Sequence, residues 1–337
     1  MSIVESGSSK PIMVVETMTH MAEANRSACS ANSDAHRPTS GALMPDITQS
    51  REEWIAGGSR RRLPGFPHVV FVRHDGPSTG VPVTLLHGFP TSSHDWAAVV
   101  PQLVGAGFRV TTADFVGFGE SDKPYPHAYS ILEQADLVEA VWEVDGHDTS
   151  AVVAHDYAVS VAQELLARTP DRVTCMTWLN GGIWPDLHHP IPEQKLLAGP
   201  AGAELAEQMD EEKFISFIDR LIGERPLPGA MLHDMWLGAR ARDGLRVLPA
   251  LLHYMEERRQ SAARWTGAVH DYEGPQQFIW GPEDPISGAH VIPRIREAVP
   301  EARLTVLDRE PAVGHFPQVE SPERVGPLLT GWIRENS

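Results

Sequence analysis

Residues Val152–Leu166 read VVAHDYAVSVAQELL, an apolar run, a polar junction and then a helical pattern. The apolar run has the length and composition of a buried strand, and the part after Val159 fits an amphipathic helix. Asp156 stands between His155 and Tyr157 at the junction. A sharp strand-to-helix turn needs small residues two positions on either side of its apex, and Ala154 and Ala158 meet that need. A helix N-cap is the plain role for such an aspartate. Whether it does more depends on what the rest of the chain brings to it.

Outward from this turn the chain alternates strand and helix. Short β-rich runs are expected at His68–Arg73, Val81–Leu86, Phe108–Thr112, Ser150–Ala154, Val173–Leu179, Gln277–Trp280 and Ala302–Leu307, with helices such as Ile131–Val144 and Val159–Ala167 between them. Near-continuous apolar strands separated by helices indicate a mostly parallel, doubly wound α/β sheet covered on both faces. The first two runs have no helix between them and predict an antiparallel edge. The alternation stops from about Trp184 to Trp265, where helical stretches are expected at Glu211–Gly223, Met231–Ala241 and Leu245–Arg259. The expected organisation is a flexible N-terminal extension over 1–50, a core of 51–183 and 266–337, and a helical cap over 184–265.

The formal net charge of −17 opposes binding to phosphate backbones, so no nucleic-acid partner is expected. No apolar run is long enough to span a membrane, and the N-terminal stretch lacks the pattern of a signal peptide. Cys29 and Cys175 form neither a metal-ligand spacing nor a disulfide framework; a buried free thiol at Cys175 and a reducing, cytoplasmic setting are expected.

In an open parallel sheet, ligands bind beyond the carboxyl ends of the strands. His87-Gly88-Phe89-Pro90, His155-Asp156, Pro282-Glu283-Asp284 and Gly314-His315 all follow expected strands. A nucleophile, an acid and a histidine in that chain order is the order of α/β-hydrolase triads. An aspartate nucleophile suits attack on saturated carbon, because it forms an ester that water can cleave where serine would form an ether. His315 would activate the water, Asp284 would orient and charge-stabilise His315, and the amides of Phe89 and Tyr157 would hold the developing oxyanion.

These residues amount to a resemblance. The chain resembles the aspartate-nucleophile branch of the α/β-hydrolases, which contains epoxide hydrolases and haloalkane dehalogenases, and most of all the mesoderm-specific transcript proteins of animals and their bacterial relatives. The carriers, in order, are LLHGFPTSSHDW, DFVGFGESDKPYPHAYSILEQA, HDYAVSVAQELL, LNGGIWPDLHHP, HDMWLGARARDG, RWTGAV, GPEDP and GHFPQVESP, covering about Arg51 to the C-terminus. The resemblance implies an α/β-hydrolase fold with a cap, the triad Asp156, Asp284 and His315, and no cofactor. Haloalkane dehalogenases typically carry Asn at the position of Phe89 and Trp at that of Tyr157 to bind the halide. HGFP is instead common in epoxide hydrolases, which protonate the opening oxygen from cap tyrosines. Tyr254 alone of the five tyrosines falls in the cap, although a lone helical Tyr more often packs than donates. Trp184 stands where it would line the cap entrance.

Several residues have plainer readings. Gly76-Pro77-Ser78-Thr79-Gly80 matches G-x-S-x-G, but a strand follows it rather than a helix, so Ser78 is assigned to a turn. Glu283 is a rival to Asp284, Asn180 is an amide where some dehalogenases keep their acid, and Asp114 and Asp122 are assigned structural roles. His188-His189 lacks a third ligand, so no metal is expected. The expected activity is a cofactor-independent hydrolase of a small apolar electrophile, epoxide hydrolase-type first. The alternatives are a haloalkane dehalogenase and a non-catalytic binding protein on the same scaffold.

Overall fold

The computed structural model describes residues 49–309 and 311–337. The extension expected over 1–50 lies outside them apart from Gln49 and Ser50, as does Cys29. Eight strands form one sheet: β1 (Gly58–Arg62), β2 (Val69–Asp75), β3 (Pro82–Leu86), β4 (Arg109–Ala113), β5 (Ser150–His155), β6 (Val173–Leu179), β7 (Gln276–Trp280) and β8 (Arg303–Val306). Their spatial order is β1-β2-β4-β3-β5-β6-β7-β8, with β1, β2 and β4 joined antiparallel and β3 to β8 and β4 joined parallel. The α/β fold class read from the sequence is the one observed.

The antiparallel edge is present but differently composed. The runs expected to pair, now β2 and β3, are separated by β4, and the edge partner of β2 is β1. β1 reads GSRRR and has no apolar alternation, because an edge strand can be charged along its length, and that charge discourages pairing with other chains. A helix at Arg51–Ala56 was likewise not expected. Its capping box was legible all along: Ser50 accepts from the Glu53 amide while the Glu53 carboxylate accepts from the Ser50 amide.

Side chains alternate across the sheet. Val83, Leu85, Val110, Val153, Leu179 and Ile279 pack on one face with Val100, Leu103, Leu329 and Ile333 from the helices Val100–Gly105 and Pro322–Asn336. Each fully buried aliphatic side chain of this kind contributes about 1.5–3 kcal/mol. The opposite face takes the helix Ile131–Asp145, whose Trp142 indole donates to Thr84 Oγ1 at 2.8 Å. That helix starts at Ser130, which accepts from the Glu133 amide, and stops at Gly146 in the left-handed region.

Among the described residues no strand lies between β6 and β7; helices fill the interval instead. The single helix expected over Leu245–Arg259 is broken into a 3-10 stretch Ala241–Val247 and helices Leu248–Leu251 and Tyr254–Gln260. Pro249 at the start of the second piece has no amide to continue the preceding turn. The limit drawn at 265/266 falls inside the helix Ala262–Asp271, which packs on Tyr157–Arg168 through the Trp265 indole and Glu164. Among the described residues no helix is long and apolar enough to cross a membrane.

Candidate active site

β5 ends at His155 and the next helix begins at Tyr157, which leaves Asp156 alone at the apex with φ 51° and ψ −106°. An L-residue held there carries strain of about 1–3 kcal/mol, which the surroundings must offset. Its side chain caps no helix amide, so the plain N-cap role does not hold. The turn is held by the Asp156 amide donating to Asn180 O at 2.9 Å and by glycines that let neighbouring backbones approach. A Cβ on Gly88 would lie 2.7 Å from Asp156 Cβ, and one on Gly181 would lie 2.9 Å from Asp156 O.

The three residues read from sequence as a triad come together from three strand ends. His315 Nε2 lies 3.4 Å from Asp156 Oδ2, and His315 Nδ1 lies 2.9 Å from Asp284 Oδ2. Asp284 is buried, accepts from the Ile286 amide at 2.7 Å and from Asn180 Nδ2 at 3.1 Å, whereas Glu283 is exposed. The Phe89 amide donates to Asp156 Oδ1 at 2.8 Å. Tyr157 opens the helix beside Asp156, and its ring packs against Phe115, Phe118 and Tyr254.

Burial opposes charge on all three residues, yet the charges outweigh it. For His315 the Asp284 charge, the close approach of Asp156 and the hydrogen bond to Asp284 push the pKa up to about 10. Burial would also raise Asp156, but the close approach and charge of the His315 imidazolium hold it well below the usual carboxylate range. The resting site is therefore carboxylate–imidazolium–carboxylate at neutral pH. Asp95, a buried neighbour hydrogen-bonded to Thr91, is pushed by burial up to about 8 and is neutral there.

The loop bearing His315 is pinned from several sides. The His315 amide donates to Leu221 O at 2.8 Å, and its carbonyl faces His155 Nε2 at 2.7 Å. Glu320 accepts from the amides of Gly223, Gly314 and Phe316, each at 2.8 Å. Leu221 and Gly223 belong to the segment between β6 and β7, so that segment braces the histidine directly.

Tyr254 is buried at the start of its helix, and its hydroxyl has no hydrogen-bond partner among the described residues. Burial, then the charge of Asp156, raise its pKa above the ordinary phenol value, so the proton stays on at neutral pH. Trp184 borders an open groove with Ala263, Thr266 and Arg294, which holds no triad residue. Ser78 lies in an exposed turn. Asn180, Glu320, His188 and Arg258 were not read as site residues. Arg258 sits within EERRQ, a charge run that looks like a solvated surface, yet it is 1% exposed. Cys175 is a buried free thiol that burial pushes up to about 11. Among the described residues, His68, His127 and Glu133 have the spacing of metal ligands, with both histidines hydrogen-bonded to Glu133. None belongs to the triad.

Residues 81–322 match the family described as alpha/beta hydrolase fold. The chain belongs to that family. This hydrolase is 39% identical over 280 residues to LipZ of Mycobacterium tuberculosis, named as a hydrolase, covering 81% of this chain and 94% of LipZ. It is 35% identical over 292 residues to the human mesoderm-specific transcript homolog protein, covering 82% and 86%. A haloalkane dehalogenase of Sphingobium indicum is 27% identical over 285 residues, covering 76% and 89%. Among solved structures, the haloalkane dehalogenase DbeA of Bradyrhizobium elkani superposes with TM-score 0.68 at 22% identity, covering 82% of this chain and 97% of DbeA, a likeness of fold alone.

Proposed function

We propose that this hydrolase opens an epoxide through a covalent ester on Asp156. The observation that carries the reading is the Asp156–His315–Asp284 chain, with an ionised carboxylate at the strained apex and the Phe89 amide on its Oδ1. The helical segment between β6 and β7 acts as the cap, and the triad residues named from the sequence act as nucleophile, base and orienting acid.

In the first step Asp156 Oδ2 bonds to the less hindered epoxide carbon while the C–O bond breaks and its electron pair stays on oxygen. Tyr254 gives that oxygen its proton, and the imidazolium of His315 returns one to the phenolate through solvent. Esterification removes the negative charge that helped to hold the imidazolium, so His315 is released as a base at this stage. It then takes a proton from water, and the hydroxide adds to the ester carbonyl beside the amides of Phe89 and Tyr157. On collapse the bond between the carbonyl carbon and the alkyl oxygen breaks, and the hydroxyl proton of the adduct passes to that oxygen. The diol leaves with Asp156 restored as carboxylate and His315 as imidazolium. A cytoplasmic setting and a small apolar electrophile belong to the same reading.

The test uses His315→Gln, which stalls the second step, mixed with a panel of terminal epoxides and 1-bromoalkanes. Intact and peptide mass spectrometry should find one adduct, on the peptide bearing Asp156, and wild-type protein should release diol. Halide release with no diol would instead assign a dehalogenase, the activity named for the Sphingobium relative. Full turnover by Asp156→Asn would overturn the nucleophile.

A further inference from the structure

Beside the triad lies a buried cation that the reaction above does not use. Arg258 donates through Nε to Ser160 Oγ at 2.9 Å, one turn beyond Asp156, and its Nη1 faces His188 Nδ1 at 3.4 Å. Its guanidinium carbon stands 4.7 Å from the centre of the Tyr254 ring. Among the described residues no carboxylate lies within ion-pair distance of it, and its Nη2 has no hydrogen-bond partner. His188 Nε2 and the Tyr254 hydroxyl are likewise buried without partners. Since His188 Nδ1 faces an N–H of Arg258, it accepts, and the ring proton sits on Nε2. The three unpartnered groups can therefore all donate. Burying a cation this way is costly unless an acceptor completes it. The backbone has also made room for it: a Cβ on Gly182 would fall 1.9 Å from Arg258 Nη1.

We propose that Arg258, His188 and Tyr254 form a subsite for the negative charge that leaves Asp156, so that the substrate is an uncharged electrophile whose leaving atom stays a hydrogen-bond acceptor. This rests on Asp156 as the nucleophile. Asp156, Asp284, His315 and Arg258 are two carboxylates and two cations, and their charges cancel. An anionic substrate would add a fifth, unbalanced charge to a buried site. A neutral epoxide keeps the balance, because the charge lost from Asp156 on alkylation reappears on the leaving oxygen and passes to Tyr254 when that oxygen takes its proton. Arg258 is a positioning and charge-balancing residue for that transfer. Burial, then the charge of Arg258, push the His188 pKa down to about 3, in keeping with a neutral donor at that spot.

The experiment separates this subsite from the covalent chemistry. Asp156→Asn removes one negative charge, so the pocket should bind bromide, titrated by calorimetry at constant ionic strength and pH 6, at least about 10-fold more tightly than wild type. Adding Arg258→Met should abolish that gain. Asp156→Asn with Tyr254→Phe, which deletes one donor only, carries the same test should the arginine variant unfold. Equal bromide affinity in Asp156→Asn with and without Arg258→Met would overturn the proposal, and so would no gain in Asp156→Asn, leaving the three donors to water. Arg258→Met alone should slow ester formation at least about 100-fold while ester hydrolysis in a single turnover stays within about 2-fold. Equal slowing of both half-reactions would mean a general structural role. If no adduct forms on Asp156 at all, the nucleophile reading fails while the bromide result still reports on the subsite.

Discussion

Replacing Asp156 with Asn imitates, in charge, the ester that forms on that residue, and the structure bounds what His315 should then do. In the resting protein the imidazolium sits between two carboxylates, and its pKa is pushed up to about 10 from an ordinary 6.5. That rise corresponds to about 5 kcal/mol favouring the charged ring. It is a net figure, because burial works against the two carboxylates and remains in the variant. If the carboxylates share the upward push about equally, losing one removes more than half of the net rise. His315 should then lose about 2 kcal/mol or more of proton binding, at least ~30-fold in proton affinity. The assay is a histidine NMR titration of wild type and Asp156→Asn, with His315 assigned through His315→Gln. Wild type should keep the ring charged through pH 9, and the variant should titrate well below it. A titration unchanged by Asp156→Asn would refute the view that alkylation releases the base, and a wild-type midpoint near 6.5 would refute the charged resting state.

Other outcomes follow from the same geometry. The raised folded-state pKa of His315 means its stabilising contribution is complete below 6.5 and lost as pH rises through about 10. Thermal midpoints of wild type should therefore fall between those pH values, and Asp284→Asn should flatten that fall. Tyr254→Phe removes a buried hydroxyl that nothing among the described residues satisfies, so thermal stability should hold or rise, while ester formation slows about 10²–10⁴-fold as measured by stopped flow. Gly88→Ala places a methyl 2.7 Å from Asp156 Cβ; denaturant titration should show a loss of about 1–3 kcal/mol, with activity falling as the apex shifts.

The legible part of the site was its strand ends. Asp156, Asp284 and His315 each follow an apolar run, and that position, with small residues around the turn, is a local signal. Glu283 stays a rival to Asp284 within GPEDP in the sequence, and burial of Asp284 with exposure of Glu283 is what separates them. Arg258 and His188 had no such signal. EERRQ looks like a solvated helix face, and only the break that ends one helix at Leu251 and starts the next at Tyr254 accompanies the inward turn of Tyr254 and Arg258.

By itself, the sequence determined the elements that depend on neighbours along the chain: apolar runs long enough for buried strands, caps such as Ser130 and Gly146, and the tight turn around Asp156. Tertiary structure decided what depends on residues distant in sequence. β4 lies between β2 and β3, and the charged β1 gains strand structure only from its partner β2. Likewise the protonation of His315 is set by two carboxylates 159 and 31 residues away in the chain. The physical reason is range: backbone preference and amphipathic period act over a few residues, whereas burial, charge and unmatched donors are properties of whatever the fold has brought together.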